Sequence, residues 1–456
     1  MSNPGEGDAT PIESMRQLAD HIAAGCKPAA RFTIGTEHEK FGFRHADFAT
    51  PPYTPGGIRA VLEGIAMTGW APILDRGNPI GLTRGSASVS LEPAGQLELS
   101  GGLMPTLHDT RSEIEAHYED VRKVSEPLGL GFAALGFHPV NSREQMPWMP
   151  KGRYAIMRRY MPLVGTMGLD MMTRTCTVQV NLDYASEADM IRKLRVSLAL
   201  QPVATALFAN SPFTEGKPNG FLSYRAHVWT DTDNQRSGIP AVFFEDGFDF
   251  ERYVNWLIDD VPMYFVLRDG KYVDLAGQSF RRFLNGDLGN IVPGPATVGD
   301  FADHMTTVFT DVRLKRFVEM RGADAGSLDM MVAQSALWVG ILYDPAALEA
   351  AAALVRRHPW TDFAALRPLV PRQGLAAPWQ GGGSTVRDLA REMVVIAKDG
   401  LRARARLDAQ GRDETIHLAP LEAIVGGAPT QAEAWLSRFH GEWRGDVTRI
   451  FGEAAI

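Results

Sequence analysis

Glu37 and Glu39 stand two residues apart in RFTIGTEHEKFGF (31–43), with Phe41 and Phe43 following on the same side. The stretch otherwise alternates as a β-strand does. Positions two apart share a strand face and lie roughly 6–7 Å from each other. Two carboxylates so placed repel, and a positive species between them is expected. The pattern returns three times. In TCTVQVNLDY (175–184), Cys176, Val178, Val180, Leu182 and Tyr184 form one face, and Thr175, Thr177, Gln179, Asn181 and Asp183 the other. In SLEPAGQLELSG (90–101), Leu97 and Leu99 oppose Gln96 and Glu98, and Glu92 precedes the Pro93–Gly95 turn. In RLKRFVEMRGAD (313–324), Val318 and Met320 oppose Glu319 and Arg321. Each segment reads as one half-buried strand.

Polar strand faces commonly just meet water. These carry Glu37, Glu39, Glu98, Glu319, Gln179 and Asn181 with few lysines, and they come from distant parts of the chain. Carboxylates and amides suit a hard cation, and Mg²⁺ takes oxygen ligands while keeping positions for water and phosphate. A bare carboxylate wall repels ATP or an acidic substrate; with two or three Mg²⁺ ions between, it attracts them. Phosphoryl transfer is catalysed mainly by positioning and charge neutralisation. Arg321, on the face of Glu319, is placed to stabilise that charge. Arg225, in FLSYRAHVW, has the fork to clamp a carboxylate, although a lone loop arginine is more often a surface group.

The elements that must position these residues are legible in outline. GIRAVLEGIAMTGW (57–70) has apolar residues at helical spacing and Gly69 as a stop. Residues 108–129 read as a charged surface helix. SEADMIRKLRVSLALQPVATALFAN (186–210) opens with Ser186 and Asp189 in a capping box. Residues 211–240 read as a long loop, 286–299 as a Gly/Pro-rich connection, and the chain from about 330 to 456 as mostly helical. Residues 1–12 read as a flexible tail, and PWQGGGS (378–384) is the best candidate break. The expectation is one α+β domain over 1–456.

Composition narrows the class. The chain has 456 residues, 45% hydrophobic and 22% charged, with a formal charge of −8. That balance argues against a nucleic-acid partner. No apolar run of about 18 residues suggests a membrane span. Two cysteines, Cys26 and Cys176, exclude a disulfide framework and a thiolate cage. The N-terminus MSNPGEGDATPIESM lacks the basic start and apolar stretch of a signal peptide, so a cytoplasmic location is expected. His38 faces away from the glutamates and reads as a core residue or one that supports the ligands from behind, rather than as a ligand itself. Cys176 and the pair Met171–Met172 read as core. No P-loop is present; GLGFAA (129–134) follows a helix and is set aside as a dinucleotide site.

TIGTEHEKFGF, SLEPAGQLELSGG, MPKGRY, GLDMMTRTCTVQVNLDY, the run from Ser186 to Asp233 and RLKRFVEMRGAD closely resemble glutamate–cysteine ligase of the plant and proteobacterial type, from about residue 30 to at least 345. The resemblance implies a glutamine-synthetase-like fold, a curved antiparallel sheet forming a funnel with helices outside. It implies ATP-dependent joining of the γ-carboxylate of L-glutamate to L-cysteine through γ-glutamyl phosphate, the first step of glutathione synthesis. Carried over, Glu37, Glu39, Glu98 and Glu319 match metal ligands. Gln179 stands where a more distant branch has a metal-binding histidine. Asn181 and Glu92 fall among the substrate-binding positions, Arg225 matches the arginine holding glutamate, and Arg321 sits by the transferring phosphoryl group. Plant members are controlled by paired cysteines; here Cys176 lies in a shared motif, with only Cys26 as a partner. The implied partners are glutamate, cysteine and ATP, for a monomer or homodimer. Two alternatives stay open: a ligase joining glutamate to another amine, and a catalytically silent ATP-binding regulatory protein on the same fold.

Overall fold

The structure is a computed structural model that describes residues 7–380 and 383–456. Among these residues, nine strands join in one antiparallel sheet: β1 (Ile34–Arg44), β2 (Ala71–Asp75), β3 (Asn78–Arg84), β4 (Ala87–Leu91), β5 (Leu97–Ser100), β6 (Leu130–Ala133), β7 (Thr177–Leu182), β8 (Val312–Leu314) and β9 (Val318–Asp324). Their order is β8-β9-β7-β1-β5-β4-β3-β2, and β6 pairs with the far end of β1. β1 is therefore shared. Its first half lies between β5 and β7, and Phe41–Arg44 pair with β6. The expected α+β class holds. The helices used below are α1 (Ile58–Ala66), α2 (Leu107–Ser125), α3 (Gly152–Val164), α4 (Gly168–Arg174), α5 (Glu187–Leu207), α6 (Tyr224–Val228), α7 (Leu328–Leu342) and α8 (Val386–Arg404).

Two segments read as single strands are hairpins. In 90–101 the chain turns between β4 and β5. Pro93 has no N–H to give a ladder, Gly95 adopts φ +85°, a conformation open to glycine, and Glu92 N donates to Gln96 O at 2.9 Å. In 313–324, Lys315 N donates to Phe317 O at 2.8 Å and closes the turn between β8 and β9. β9 then carries an irregularity between Met320 and Ala323 opposite β7.

The alternation sorts the faces as expected. Val178, Val180, Leu182, Leu97, Leu99, Val318 and Met320 are all buried. Each such side chain contributes about 1.5–3 kcal/mol by leaving water. Their face lies against helices, with α7 behind β1 and β7 and α2 behind β1. Thr36 and Ser335 share a 2.8 Å hydrogen bond across that layer. From Met330 to Leu342 every residue of α7 is buried, as suits a helix that is apolar all round. α7 crosses α8 at two glycines. A Cβ on Gly400 would meet Gly340 O at 1.8 Å, and one on Gly340 would meet Ala397 O at 2.2 Å.

Other expectations need correction. Ser186 caps α5 by accepting from Asp189 N at 3.2 Å, but the Asp189 carboxylate accepts from Ala185 N, so the box is not reciprocal. The stretch 211–240 contains α6, capped by Ser223, which accepts from Ala226 N. The flexible tail expected over 1–12 is ordered in its described part: Ile12 N donates to Ala296 O, and Val298 N to Thr10 O. Residues 1–6 lie outside the described residues, as do Gly381 and Gly382 of the candidate break. The described ends of that break are tied together, since Trp379 N donates to Ser384 O at 2.9 Å. α7 and α8, on either side of it, share one apolar core.

Candidate active site

The polar face of the sheet brings the expected residues together in rows. Glu319 of β9 lies opposite Asn181 of β7. One row further along, Gln179 lies opposite Glu37 of β1. In the next, Glu39 faces Glu98 of β5, which faces Ser90 of β4. Glu92 follows in the β4–β5 turn. Arg225 arrives from α6. Asp324 at the end of β9 fixes that helix by accepting from Ser211 Oγ (2.7 Å), Ser223 Oγ (2.8 Å) and Asn210 N (2.8 Å). Ser211 Oγ in turn accepts from Arg225 N at 3.1 Å.

Hydrogen bonds link the rows. Asn181 Nδ2 donates to Glu37 Oε1 at 2.7 Å and Gln179 Nε2 to Glu37 Oε2 at 3.3 Å. Gln179 Oε1 accepts from Arg321 Nε at 3.0 Å. Arg225 Nη2 donates to the Arg321 carbonyl at 2.9 Å. Thr177 N donates to Glu39 Oε2 at 2.9 Å, and Ser90 Oγ to Glu98 Oε2 at 2.8 Å.

Two hollows meet at the arginines. One, of about 470 Å³ counting space open to solvent, is lined by Glu39, Glu92, Gln96 and Thr177 and by Met157, Met171 and Met172. The other, of about 440 Å³ counted the same way, is lined by Thr205, Thr310, Asp311 and Arg367. Arg225, Arg321, Trp229 and Phe309 border both. The Arg321 guanidinium stands 5.5 Å from the ring centre of Trp229 and of Phe309. Burial and the neighbouring Arg313 press Arg321 down to about 10. Arg225 is buried, and its Nε has no hydrogen-bond partner. This pair of crowded cations suits an anionic group of a substrate.

The carboxylates differ in state. Burial, with the charges of Glu92 and Glu98, drives Glu39 well above the usual carboxylate range. Burial and Glu98 raise Glu92 to about 7. Glu92 Oε1 is buried without a hydrogen-bond partner. A hard divalent cation relieves such repulsion, and all the donors here are oxygens. The donor chemistry therefore fits Mg²⁺, although among the described residues no group of three or more His, Cys, Asp or Glu side chains is placed to hold a metal ion. Glu319 has different neighbours. Arg313 grips it with two bonds, Nε to Oε2 at 2.6 Å and Nη2 to Oε1 at 2.9 Å. Lys315 Nζ lies 3.2 Å from Oε1 and Arg321 Nε 3.6 Å from Oε2. Although burial opposes it, these cations hold the Glu319 carboxyl well below its ordinary range. In this arrangement Glu319 is an anion paired within the protein.

Of the expected residues, Glu39, Glu92, Arg225 and Arg321 border the hollows. Glu37, Gln179, Asn181, Glu98 and Glu319 form the surrounding layer. Sequence reading missed Arg313, whose hairpin partner only the turn at 315–317 reveals. It also missed Lys151 from the start of α3: Lys151 Nζ donates to Leu91 O at 3.4 Å, and burial and Arg153 lower it to about 7. Met171 and Met172, read as core, are buried but line the acidic hollow. Cys176 and His38 sit in the apolar layer as expected.

A family model described as Glutamate-cysteine ligase family 2 (GCS2) matches residues 33–453. The chloroplastic glutamate–cysteine ligase of Nicotiana tabacum is 49% identical over 439 residues, covering 96% of this chain and 82% of that protein. Chloroplastic glutamate–cysteine ligase B of Oryza sativa subsp. japonica is 48% identical, covering 96% and 86%. Among solved structures, a glutamate–cysteine ligase from Francisella tularensis in complex with AMP shares the fold, with a TM-score of 0.54 at 11% identity, covering 93% of this chain and 87% of that one. These plant relatives are chloroplastic enzymes, which overturns the cytoplasmic location expected from composition and the N-terminal residues. Carboxylates in rows on one antiparallel sheet, arginines between two hollows and a match over nearly the whole chain converge: this protein belongs to glutamate–cysteine ligase family 2.

Proposed function

We propose that this chain acts as a single catalytic domain that joins the γ-carboxylate of L-glutamate to the amine of L-cysteine, with ATP and Mg²⁺. The observation that carries this reading is the pair Arg225 and Arg321, set between an acidic hollow and a second hollow. Arg225 holds a carboxylate of glutamate through its fork. Arg321, oriented by Gln179 and by Glu319, faces the group being transferred. Glu39, Glu92 and Glu98, with Glu37 steadied by Gln179 and Asn181, would hold Mg²⁺, which when bound neutralises phosphate charge. Glu319, held on both oxygens by Arg313, is proposed to fix Arg321.

The bonds balance in two steps. A γ-carboxylate oxygen of glutamate attacks the terminal phosphorus of ATP, and ADP leaves. The cysteine nitrogen then attacks the acyl carbon, loses a proton, and phosphate leaves, giving γ-glutamylcysteine. The partners are thus small molecules. Hydroxylamine trapping with glutamate, ATP and Mg²⁺ tests activation without the acceptor: γ-glutamyl hydroxamate is expected, and its absence overturns the reading. A panel of amine acceptors tests the second half; turnover of another amine with none of cysteine overturns the assignment of cysteine.

A further inference from the structure

A third cavity lies on the opposite face of the sheet from the carboxylate rows. It encloses about 590 Å³ of empty space, part of it open to solvent. Its walls come from the β3–β4 turn, β5 and α2, and include Trp70, Arg84, Leu99, Met104, Glu113 and His117. Three observations mark it as more than a packing gap. Both ring nitrogens of His117, 4% exposed, lack a hydrogen-bond partner among the described residues. The buried Trp70 Nε1 also lacks one. Arg84 stands at the mouth with its guanidinium 4.3 Å from the Trp70 ring centre, and it makes no hydrogen bond or ion pair among the described residues. Buried polar groups are ordinarily satisfied, so two orphaned side chains on one cavity point to a ligand.

Charge selects the ligand class. Glu113 Oε1 accepts from Gly102 N at 2.7 Å, and the carboxylate brings negative charge to the same wall. A simple anion is repelled by Glu113 and a simple cation by Arg84. We propose that this cavity is a second ligand site for a small molecule carrying both a carboxylate and an ammonium group, an amino acid or short peptide. The carboxylate meets Arg84, the ammonium meets Glu113, and Leu99 and Met104 cover the apolar part. The site lies back to back with the carboxylates. Leu99 is opposite His38, whose ring is 5.7 Å from that of His117. Glu37 and Glu39 flank His38 on the other face, and Glu98 precedes Leu99.

Equilibrium dialysis of the full chain without ATP, using radiolabelled L-glutamate, L-cysteine and γ-glutamylcysteine, tests this. At least one probe is expected to bind at two sites per chain. Arg84→Ala and Glu113→Gln should each weaken one of the two at least tenfold, leave the other intact, and keep turnover at low probe concentration unchanged. Binding that survives both substitutions, at one site or at two, overturns the proposal; a single site lost in both variants supports it and counts instead against glutamate binding at the carboxylate rows. Loss in only one variant overturns the assignment to a zwitterion. The dialysis reads out even if no γ-glutamylcysteine is formed, so this site and the proposed reaction fail separately.

Discussion

Glu319 and Glu39 are both glutamates on the polar face of one sheet, and their surroundings could hardly differ more. Glu319 is wrapped by Arg313, Lys315 and Arg321, and its charge is stabilised within the protein. Glu39 shares its end of the sheet with Glu92 and Glu98, and their charges destabilise its ionised form. The same sequence signal, a carboxylate at the polar parity of a strand, thus yields one self-contained ion cluster and one that calls for an external cation. The difference puts the unrelieved carboxylates, and with them the Mg²⁺ proposed above, at the β1–β5 end of the rows and the ion pairs that flank Arg321 at the β9 end.

The sharpest way to break this comparison acts on the saturated end. Arg313→Met leaves Glu319 buried without its two-bond partner and should cost about 3–5 kcal/mol, read as a lower urea midpoint at unchanged slope. An unmoved midpoint would show that Lys315 and Arg321 suffice. At the unsaturated end, Glu39→Gln should leave the midpoint nearly unchanged but reduce Mg²⁺-dependent phosphate release about 10²–10³-fold, the scale of losing one preorganised charge-stabilising contact. Turnover within a few-fold of the parent would move the metal away from Glu39. Mg²⁺ added without substrates at about 100 times its dissociation constant should stabilise the parent by about 2.7 kcal/mol, seen as a higher melting temperature. Glu39→Gln should lose most of that gain and Arg313→Met should keep it. The smallest effect belongs to the arginine between the hollows. Arg225→Lys should raise the KM for glutamate about tenfold, about 1.4 kcal/mol, because lysine lacks the fork; an unchanged KM would place the carboxylate clamp elsewhere.

Strand parity made the two faces legible. Gln179 and Asn181 share a side with each other, as do Glu37 and Glu39, and local alternation suffices to say so. It does not say that Gln179 lies opposite Glu37, since 142 residues separate them and only the assembled sheet sets that register. The residues around Glu319 were hidden for another reason. Arg313 and Lys315 seemed to continue one strand with it, whereas the turn at 315–317 folds Arg313 back over the carboxylate. Lys151 was opaque because a helix start carries no periodic signal toward a strand elsewhere. The candidate break at 378–384 holds a backbone hydrogen bond between its described ends, since Gly and Ser composition marks a turn as readily as a boundary.

The crossing of α7 and α8 at Gly340 and Gly400 carries a consequence for chemistry some distance away. With backbone against backbone, neither position has room for even a methyl group, so an alanine at either must lever the two rods apart. Ser335, one turn or so before Gly340, grips Thr36, the residue next to Glu37. A shift of that kind is therefore handed to β1 with little give, and displacements of about 1 Å at reacting groups are enough to cost about a hundredfold in rate. Two glycines remote from the carboxylate rows thus bear on how finely the array proposed above is held in place.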